Sequence, residues 1–197
     1  MSLSMRAMMG VRLVLLDRDG TIIQNIGRDI VKPDDVRLVP GADVAVAHLN
    51  RSSIKVAVCS NQEAVGRGEL DLKALADINE RLRQLLAAGG AHLDAIYDCN
   101  DDPAHPTYRH KPSPGMLQEA MRDFDADPAL TPMIGDDIVD LQAAAAAGCP
   151  RHLVRTGKGA QTERRLPDAI LPVRVHDDLL DAVTSMLDVR RAILARR

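Results

Sequence analysis

Val11-Arg12-Leu13-Val14-Leu15-Leu16-Asp17-Arg18-Asp19-Gly20-Thr21 is the stretch that decides the fold. Its first half is aliphatic apart from Arg12, so Val11–Leu16 reads as a strand buried on both faces, the pattern of a parallel sheet. Its second half sets two carboxylates one residue apart ahead of a glycine, which stops the strand in a turn. Working outward, strand and helix signals alternate. Ala42–Leu49 reads as a helix, Ile54–Cys59 as a strand, and Asp71–Ala88 as an amphipathic helix with Leu75, Ile78, Leu82 and Leu85 on one face. Leu93–Tyr97 reads as a short strand. Pro114–Phe124 reads as a helix with Ser113 at its N-cap. Met133–Gly135 ends a strand, Ile138–Ala147 is a helix closed by Gly148, and Asp177–Leu187 is a last helix after strands at His152–Val154 and Ile170–Val175. Asn100–Pro112 is an irregular loop. The expectation is an α/β fold, Rossmann-like, with a central parallel sheet flanked by helices.

Composition narrows the function classes. The chain has 197 residues, 46% hydrophobic and 27% charged, as in a globular protein rather than a disordered one. Aromatics are 2%, with no Trp, one Phe (Phe124) and two Tyr (Tyr97, Tyr108). The core must be aliphatic, and stacking platforms for single-stranded nucleic acid are excluded. Lys plus Arg number 25 against 28 Asp plus Glu, a net charge of −3, so no general attraction to nucleic acid or an anionic membrane is expected. Arg190, Arg191, Arg196 and Arg197 suit the end of the last helix, where cations complement the macrodipole. Cys59, Cys99 and Cys149 form no CxxC pair and no disulfide framework, which points to a reducing, cytoplasmic compartment. No apolar run approaches the ~20 residues of a membrane helix, and Arg6 and Arg12 leave no signal-peptide core. Met1-Ser2-Leu3 reads as an expression scar. Residues 1–9 are therefore set apart as an N-terminal segment, and 10–190 are expected to form one domain, a monomer. His48, His92, His152 and His176 read as isolated and ordinary.

In a parallel sheet ligands bind at the carboxyl ends of the strands. Four such ends carry suggestive residues. Asp17 and Asp19 after the first strand are either turn residues or a nucleophile beside an acid/base carboxylate. Ser60-Asn61-Gln62 after the second offers a hydroxyl and two amides, either a turn or donors for an oxyanion. Lys111 in Arg109-His110-Lys111-Pro112 is either a solvated lysine or a point charge for a phosphate. Gly135-Asp136-Asp137-Ile138-Val139-Asp140 can cap a helix or hold a hard cation, with Asp136 and Asp140 on one face. There is no G-x-x-x-x-G-K-[ST] and no G-x-G-x-x-G, which argues against nucleoside triphosphatase and dinucleotide-binding readings.

The ordered set D-x-D-G-T, S-N-Q, K-P and G-D-x-x-x-D resembles the haloacid dehalogenase (HAD) superfamily of phosphohydrolases over most of residues 11–157. The resemblance implies an aspartyl-phosphate mechanism. Asp17 would be the nucleophile and Asp19 the acid and then the base. Magnesium would bind Asp17, the main-chain carbonyl of Asp19, and Asp136. Ser60 and Lys111 would hold the phosphoryl oxygens. Asp137 would lie near a metal-bound water, and Asp140 would orient a neighbour. Within the superfamily, Asn61-Gln62-x-x-x-x-Arg67-Gly68, Lys111–Met116 and Val154–Gly159 look like the D-glycero-D-manno-heptose 1,7-bisphosphate 7-phosphatases, with the histidinol-phosphate phosphatases as close relatives. A small phosphorylated metabolite is the implied substrate, with Asn61, Arg67, Arg109, His110 and Lys158 as candidate contacts.

Two intervals, 22–59 and 63–108, are too short for a full cap domain, so loops must cover the site. Two departures from the family stand out. Its zinc loop retains Cys99, but Asp101, Thr107 and Arg109 stand at the other ligand positions, and His105 and His110 make no recognised pattern. Zinc is not expected. Glu63 stands where the family often has Ser, and this carboxylate needs a partner such as Arg67. The competing class is a non-catalytic phosphoaspartate receiver or phosphate-binding domain. Receivers lack D-x-D-G-T and G-D-x-x-x-D, whereas a silent homologue would lose one of Asp17, Asp19, Lys111 or Asp136.

Overall fold

A computed structural model describes residues 10–194, with side chains described through residue 189. The side chains of the helix-end arginines 190 and 191, the arginines 196 and 197 and the segment 1–9 lie outside the described residues. Six strands make one parallel sheet: β1 (Leu13–Leu16), β2 (Lys55–Asn61), β3 (Ala95–Cys99), β4 (Met133–Gly135), β5 (Arg151–Val154) and β6 (Val173–His176). Their order is β3-β2-β1-β4-β5-β6, every pairing parallel. Five longer helices pack around it: α1 (Ala42–Arg51), α3 (Leu72–Ala88), α4 (Gly115–Asp123), α5 (Ile138–Ala147) and α7 (Leu179–Leu194). Two single turns, α2 (Glu63–Gly66) and α6 (Gly159–Glu163), follow strand ends.

The alternation of β1 explains the two layers. Val14 and Leu16 face a cluster with Val46 of α1, Ile78 and Leu82 of α3, and Val183 of α7. Leu13 and Leu15 face the opposite cluster with Met116 and Leu117 of α4 and Ala143 and Ala144 of α5. Successive side chains point to opposite faces of a strand, so a run without a polar break is buried from both sides. The alanines of α5 let that helix lie close to the sheet. Among the described residues no helix is long and apolar enough to cross a membrane.

Several boundaries differ from the expectation. β2 runs through Ser60 and Asn61, which pair with Asp98 and Cys99, so these residues end the strand rather than follow it. β3 starts two residues later than the aliphatic run suggested. Asp94 is tied to β2 ahead of the strand, its carboxylate accepting from Val56 N–H at 2.9 Å. Ser113 is not the N-cap of α4. It lies in a turn with its N–H on His110 O (2.9 Å), and Pro114 precedes the helix without a side-chain cap. Asp168–Ile170 forms a 3₁₀ turn ahead of Pro172, so β6 begins at Val173. His152 and His176 are not isolated, since their rings stack with centroids 5.2 Å apart across β5 and β6.

The strand order changes direction at β1, and β1 lies against β4. Such a switch point opens a crevice at the carboxyl edge. Between β1 and α1 lies a loop, residues 17–41, with one 3₁₀ turn. Between β2 and β3 lie only α2 and α3. No full cap domain interrupts the sheet among the described residues.

Candidate active site

Asp17 is the first residue beyond β1. Its N–H donates to Ile134 O at 2.9 Å, which fixes it over the β1–β4 seam. Lys111 reaches the same point from the loop ahead of α4. Its Nζ donates to Asp17 Oδ1 (2.6 Å), Asp140 Oδ1 (2.6 Å) and Cys59 O (2.8 Å). An ammonium has three donors, and all three are used. Asn61 holds the lysine main chain in place, its Oδ1 accepting from Lys111 N–H (3.0 Å) and its Nδ2 donating to Lys111 O (2.9 Å). Asp140 sits in the first turn of α5, where its Oδ2 accepts from Asp137 N–H (3.0 Å) and Asp137 caps the helix.

Asp17, Asp136 and Asp140 bring carboxylate oxygens within 4.8 Å of one another, all three buried. One ammonium does not balance three carboxylates. Burial pushes Asp17 up to about 7 against the pull of Lys111, with Asp140 and Asp19 adding to the rise. Burial likewise pushes Asp136 up to about 8, helped by Asp17 and Asp140. Burial works against the charge of Lys111, but Asp140 and Asp17 hold its proton more tightly than usual. Asp136 Oδ2 accepts a main-chain N–H, that of Lys158, at 2.7 Å. An all-oxygen, net-negative donor set of this kind fits a hard divalent cation such as magnesium.

Two glycines make room for Asp136. A Cβ on Gly20 (φ +96°) would stand 2.2 Å from Asp136 Oδ2. One on Gly157 (φ +57°) would stand 2.0 Å from that oxygen and 2.6 Å from Gly20 Cα. A side chain there would be strained in backbone and would displace the carboxylate. Thr156 Oγ1 donates to Gly20 O (2.6 Å), tying the two loops together.

A cavity of about 170 Å³ opens at this point. Of the residues singled out in the sequence, Asp17, Asp19, Ser60, Asn61, Lys111 and Asp136 line it, and so do Asp137 and Lys158. Lys158 Nζ donates to Asp137 Oδ2 (2.6 Å). Arg67, Arg109 and His110 do not line it. Arg67 is held by Glu69 (2.9 Å), Glu63 (3.4 Å) and Asp29. Arg109 pairs with Glu119 on α4 at 2.9 Å. His110 is buried behind Asn61, with its Nε2 3.3 Å from Glu63 Oε1. The partner that Glu63 needs is thus Arg67. The zinc-loop positions are tied to one another by hydrogen bonds through Asp101, which accepts Thr107 N–H (2.6 Å) and bonds Cys99, while His105 is exposed and His110 faces Asn61 and Glu63.

Sequence reading missed the side chains of three residues here, Asp29, Arg18 and Asn79, whereas Gln62 was read as an amide at the end of the second strand. Asp29 lines the cavity from the loop after β1, and an exposed polar loop carries no signal of its contacts. Arg18, Gln62 and Asn79 form a buried group beside Asp19. Asn79 was detectable, because it interrupts the apolar face of α3 between Ile78 and Leu82.

Residues 108–182 match a hydrolase-like family model described as HAD-hydrolase-like. The chain is 36% identical over 179 residues to D-glycero-beta-D-manno-heptose-1,7-bisphosphate 7-phosphatase of Bordetella bronchiseptica, covering 90% of this chain and 98% of that protein. It is 33% identical over 195 residues to D-glycero-D-manno-heptose-1,7-bisphosphate 7-phosphatase of Chlorobaculum tepidum, covering 91% and 96%. A crystal structure of the D,D-heptose 1,7-bisphosphate phosphatase from B. bronchiseptica, complexed with magnesium and phosphate, is similar with a TM-score of 0.85, over 90% of this chain and 98% of that one.

Proposed function

The chain belongs to the HAD-like hydrolase family and is a phosphoric monoester hydrolase, and from that premise we propose that it hydrolyses a phosphorylated sugar through an aspartyl-phosphate, with heptose 1,7-bisphosphate as substrate. The observation that carries the mechanism is the bridge from Lys111 Nζ to Asp17 and Asp140 inside the cavity. The substrate rests on relatives matched along nearly their whole length.

Asp17 attacks phosphorus in line, and the bond to the ester oxygen breaks as Asp19 gives that oxygen a proton. Water then attacks the phospho-Asp17, with Asp19 taking its proton, and inorganic phosphate leaves. The Ser60 hydroxyl holds a phosphoryl oxygen, and Lys111, its three N–H donors already taken, faces the phosphoryl group as a point charge. Ser60 Oγ accepts from Gln62 Nε2 (2.8 Å), which leaves its own proton for a ligand. Asp140 keeps Lys111 charged and aimed. Magnesium held by the Asp17 and Asp136 carboxylates and the main-chain carbonyl of Asp19 would offset the repulsion between carboxylate and phosphate and polarise the phosphoryl oxygens.

A second reading, a cationic amino-alcohol phosphate such as histidinol phosphate, is favoured by one observation. Arg109 is neutralised by Glu119, and Arg67 is outnumbered by Asp29, Glu63 and Glu69, of which Asp29 and Glu63 line the cavity. The test of the mechanism is Asp17→Asn, assayed with magnesium. We expect kcat to fall by at least about 10³-fold, with unchanged circular dichroism, because the substitution is nearly isosteric. Activity retained within tenfold rules out covalent catalysis at Asp17.

A further inference from the structure

Arg18 lies between the two carboxylates of the first motif, yet its side chain is fully buried. Burying a guanidinium costs several kcal/mol unless its hydrogen bonds are well made, and an apolar residue of similar volume is often as stable. The surroundings of Arg18 are built to hold it. Its Nε and Nη2 form a fork on Asp19, to Oδ1 at 3.2 Å and Oδ2 at 2.9 Å. Nη2 also donates to Gln62 Oε1 (2.8 Å), and Nη1 donates to Asn79 Oδ1 (3.0 Å).

Neither amide is free to turn over. Asn79 Nδ2 donates to Asp98 Oδ2 on β3 (2.7 Å), so its oxygen must face the arginine. Gln62 Nε2 donates to Ser60 Oγ (2.8 Å) and Asp19 Oδ2 (3.2 Å), so its oxygen must face it too. The guanidinium is therefore clamped by the residue that follows β2 and by α3, and it presents a fixed two-pronged face to Asp19. Asp19 itself stands on a loop with a part-exposed side chain. Arg18 grips both of its oxygens, and Gln62 Nε2 adds a hold on Oδ2 at 3.2 Å.

We propose that Arg18, bracketed by Gln62 and Asn79, is the positioning residue for the acid/base carboxylate Asp19. It acts through that side chain alone and does not touch the phosphoryl group. The proposal rests on the acid role given to Asp19 above. A point charge would attract Asp19 without fixing its orientation, whereas a planar fork does both.

The test compares two monophosphates under magnesium. Hydrolysis of an alkyl phosphate needs the leaving oxygen protonated, and hydrolysis of p-nitrophenyl phosphate does not. Acid catalysis is worth roughly 10²–10⁴-fold. Arg18→Lys should therefore lower kcat/KM for the alkyl ester about 10- to 100-fold and for the aryl ester less than about threefold. Asn79→Leu, which loosens the clamp and leaves the charge in place, should give a smaller loss with the same selectivity. In Arg18→Lys/Asp19→Asn the losses should not multiply, since residues acting as a unit are non-additive. The double variant should match Asp19→Asn alone. An equal loss on both esters, no loss on either, or multiplying losses would assign Arg18 a merely structural role and overturn the proposal. If Asp19→Asn itself shows no preference between the esters, the acid role of Asp19 falls, and the proposal falls with it.

Discussion

At the residue scale, the cations of the site divide by what already holds them. Lys111 spends its donors on Asp17, Asp140 and a carbonyl, while Arg109 is committed to Glu119. Lys158 has one carboxylate partner, Asp137, and stands where the cavity meets the loop that follows β1. It is the cation best placed for a second phosphate on a bisphosphate. Lys158→Ala should lower kcat/KM for heptose 1,7-bisphosphate by roughly ten- to a hundred-fold, the loss of one charge-assisted contact. A small monophosphate should lose less than about threefold. Arg109→Ala should stay within about twofold on both. Steady-state kinetics on the two substrates checks this, and the reverse pattern for the two variants would move the second phosphate to the side of α4.

At the scale of elements, the strand ends were legible and the loops were not. A four-residue strand such as Leu13–Leu16 declares itself because both of its faces are apolar, and the charged residues that end it had to fall on the carboxyl edge of the sheet. D-x-D-G-T and G-D-x-x-x-D could thus be placed together from sequence order alone. The partners of Arg67 and Arg109 could not, because ion pairs between exposed loops leave no periodicity. One-turn helices such as Glu63–Gly66 are shorter than the period that would reveal them. The histidine pair is another case, since only the register His152↔Arg174 and Val154↔His176 brings the rings side by side. Burial, together with the nearby His176 and Arg174, lowers His152 to about 3. The unfolded chain takes up this proton near pH 6.5 and the folded chain does not. His152 thus favours folding fully above about pH 6.5, and that contribution is lost as the pH falls toward 3. Between pH 6.5 and 5, the unfolding free energy should decline more steeply for the wild type than for His152→Asn, by up to about 1.4 kcal/mol per pH unit. Urea titrations at three pH values measure the difference, and parallel slopes would refute it. For the loop from Cys99 to His110, whose candidate ligands face different partners, metal analysis of protein purified without added zinc should find well under one equivalent. One full equivalent would mean that the loop rearranges around the ion.

For the whole molecule, the site sets a pH-dependent term in stability. Asp17 is raised to about 7 and Asp136 to about 8. A carboxyl group with a raised folded value favours the folded state below its unfolded value near 4, and that contribution is lost as pH rises through 7 and 8. A bound divalent cation reverses the penalty where the protons have left. Magnesium at about a hundred times its dissociation constant adds roughly 2.7 kcal/mol, which is roughly 5–10 °C for a chain of this size. The melting temperature should rise by that order at pH 8 and barely move at pH 5.5. Asp136→Asn should remove the response at both. Thermal unfolding with magnesium and with a chelator decides it, and an equal shift at the two pH values would place the ion elsewhere.

The pairing of β1 with β4 has a consequence for how the chain reaches this state. Leu15 lies beside Met133, 118 residues later in the chain. The half-sheet β3-β2-β1 is joined by comparatively local connections, and one face of it packs on α1 and α3. Closing the seam to β4 means drawing in a much longer loop, and such contacts form late because their entropy is lost before they gain anything in return. Asp17 belongs to the first half and Asp136 to the second. A folding intermediate that contains only the first three strands would hold the nucleophile without its metal partner. The mechanism proposed above therefore needs both halves of the sheet docked before Asp17 and Asp136 can act together.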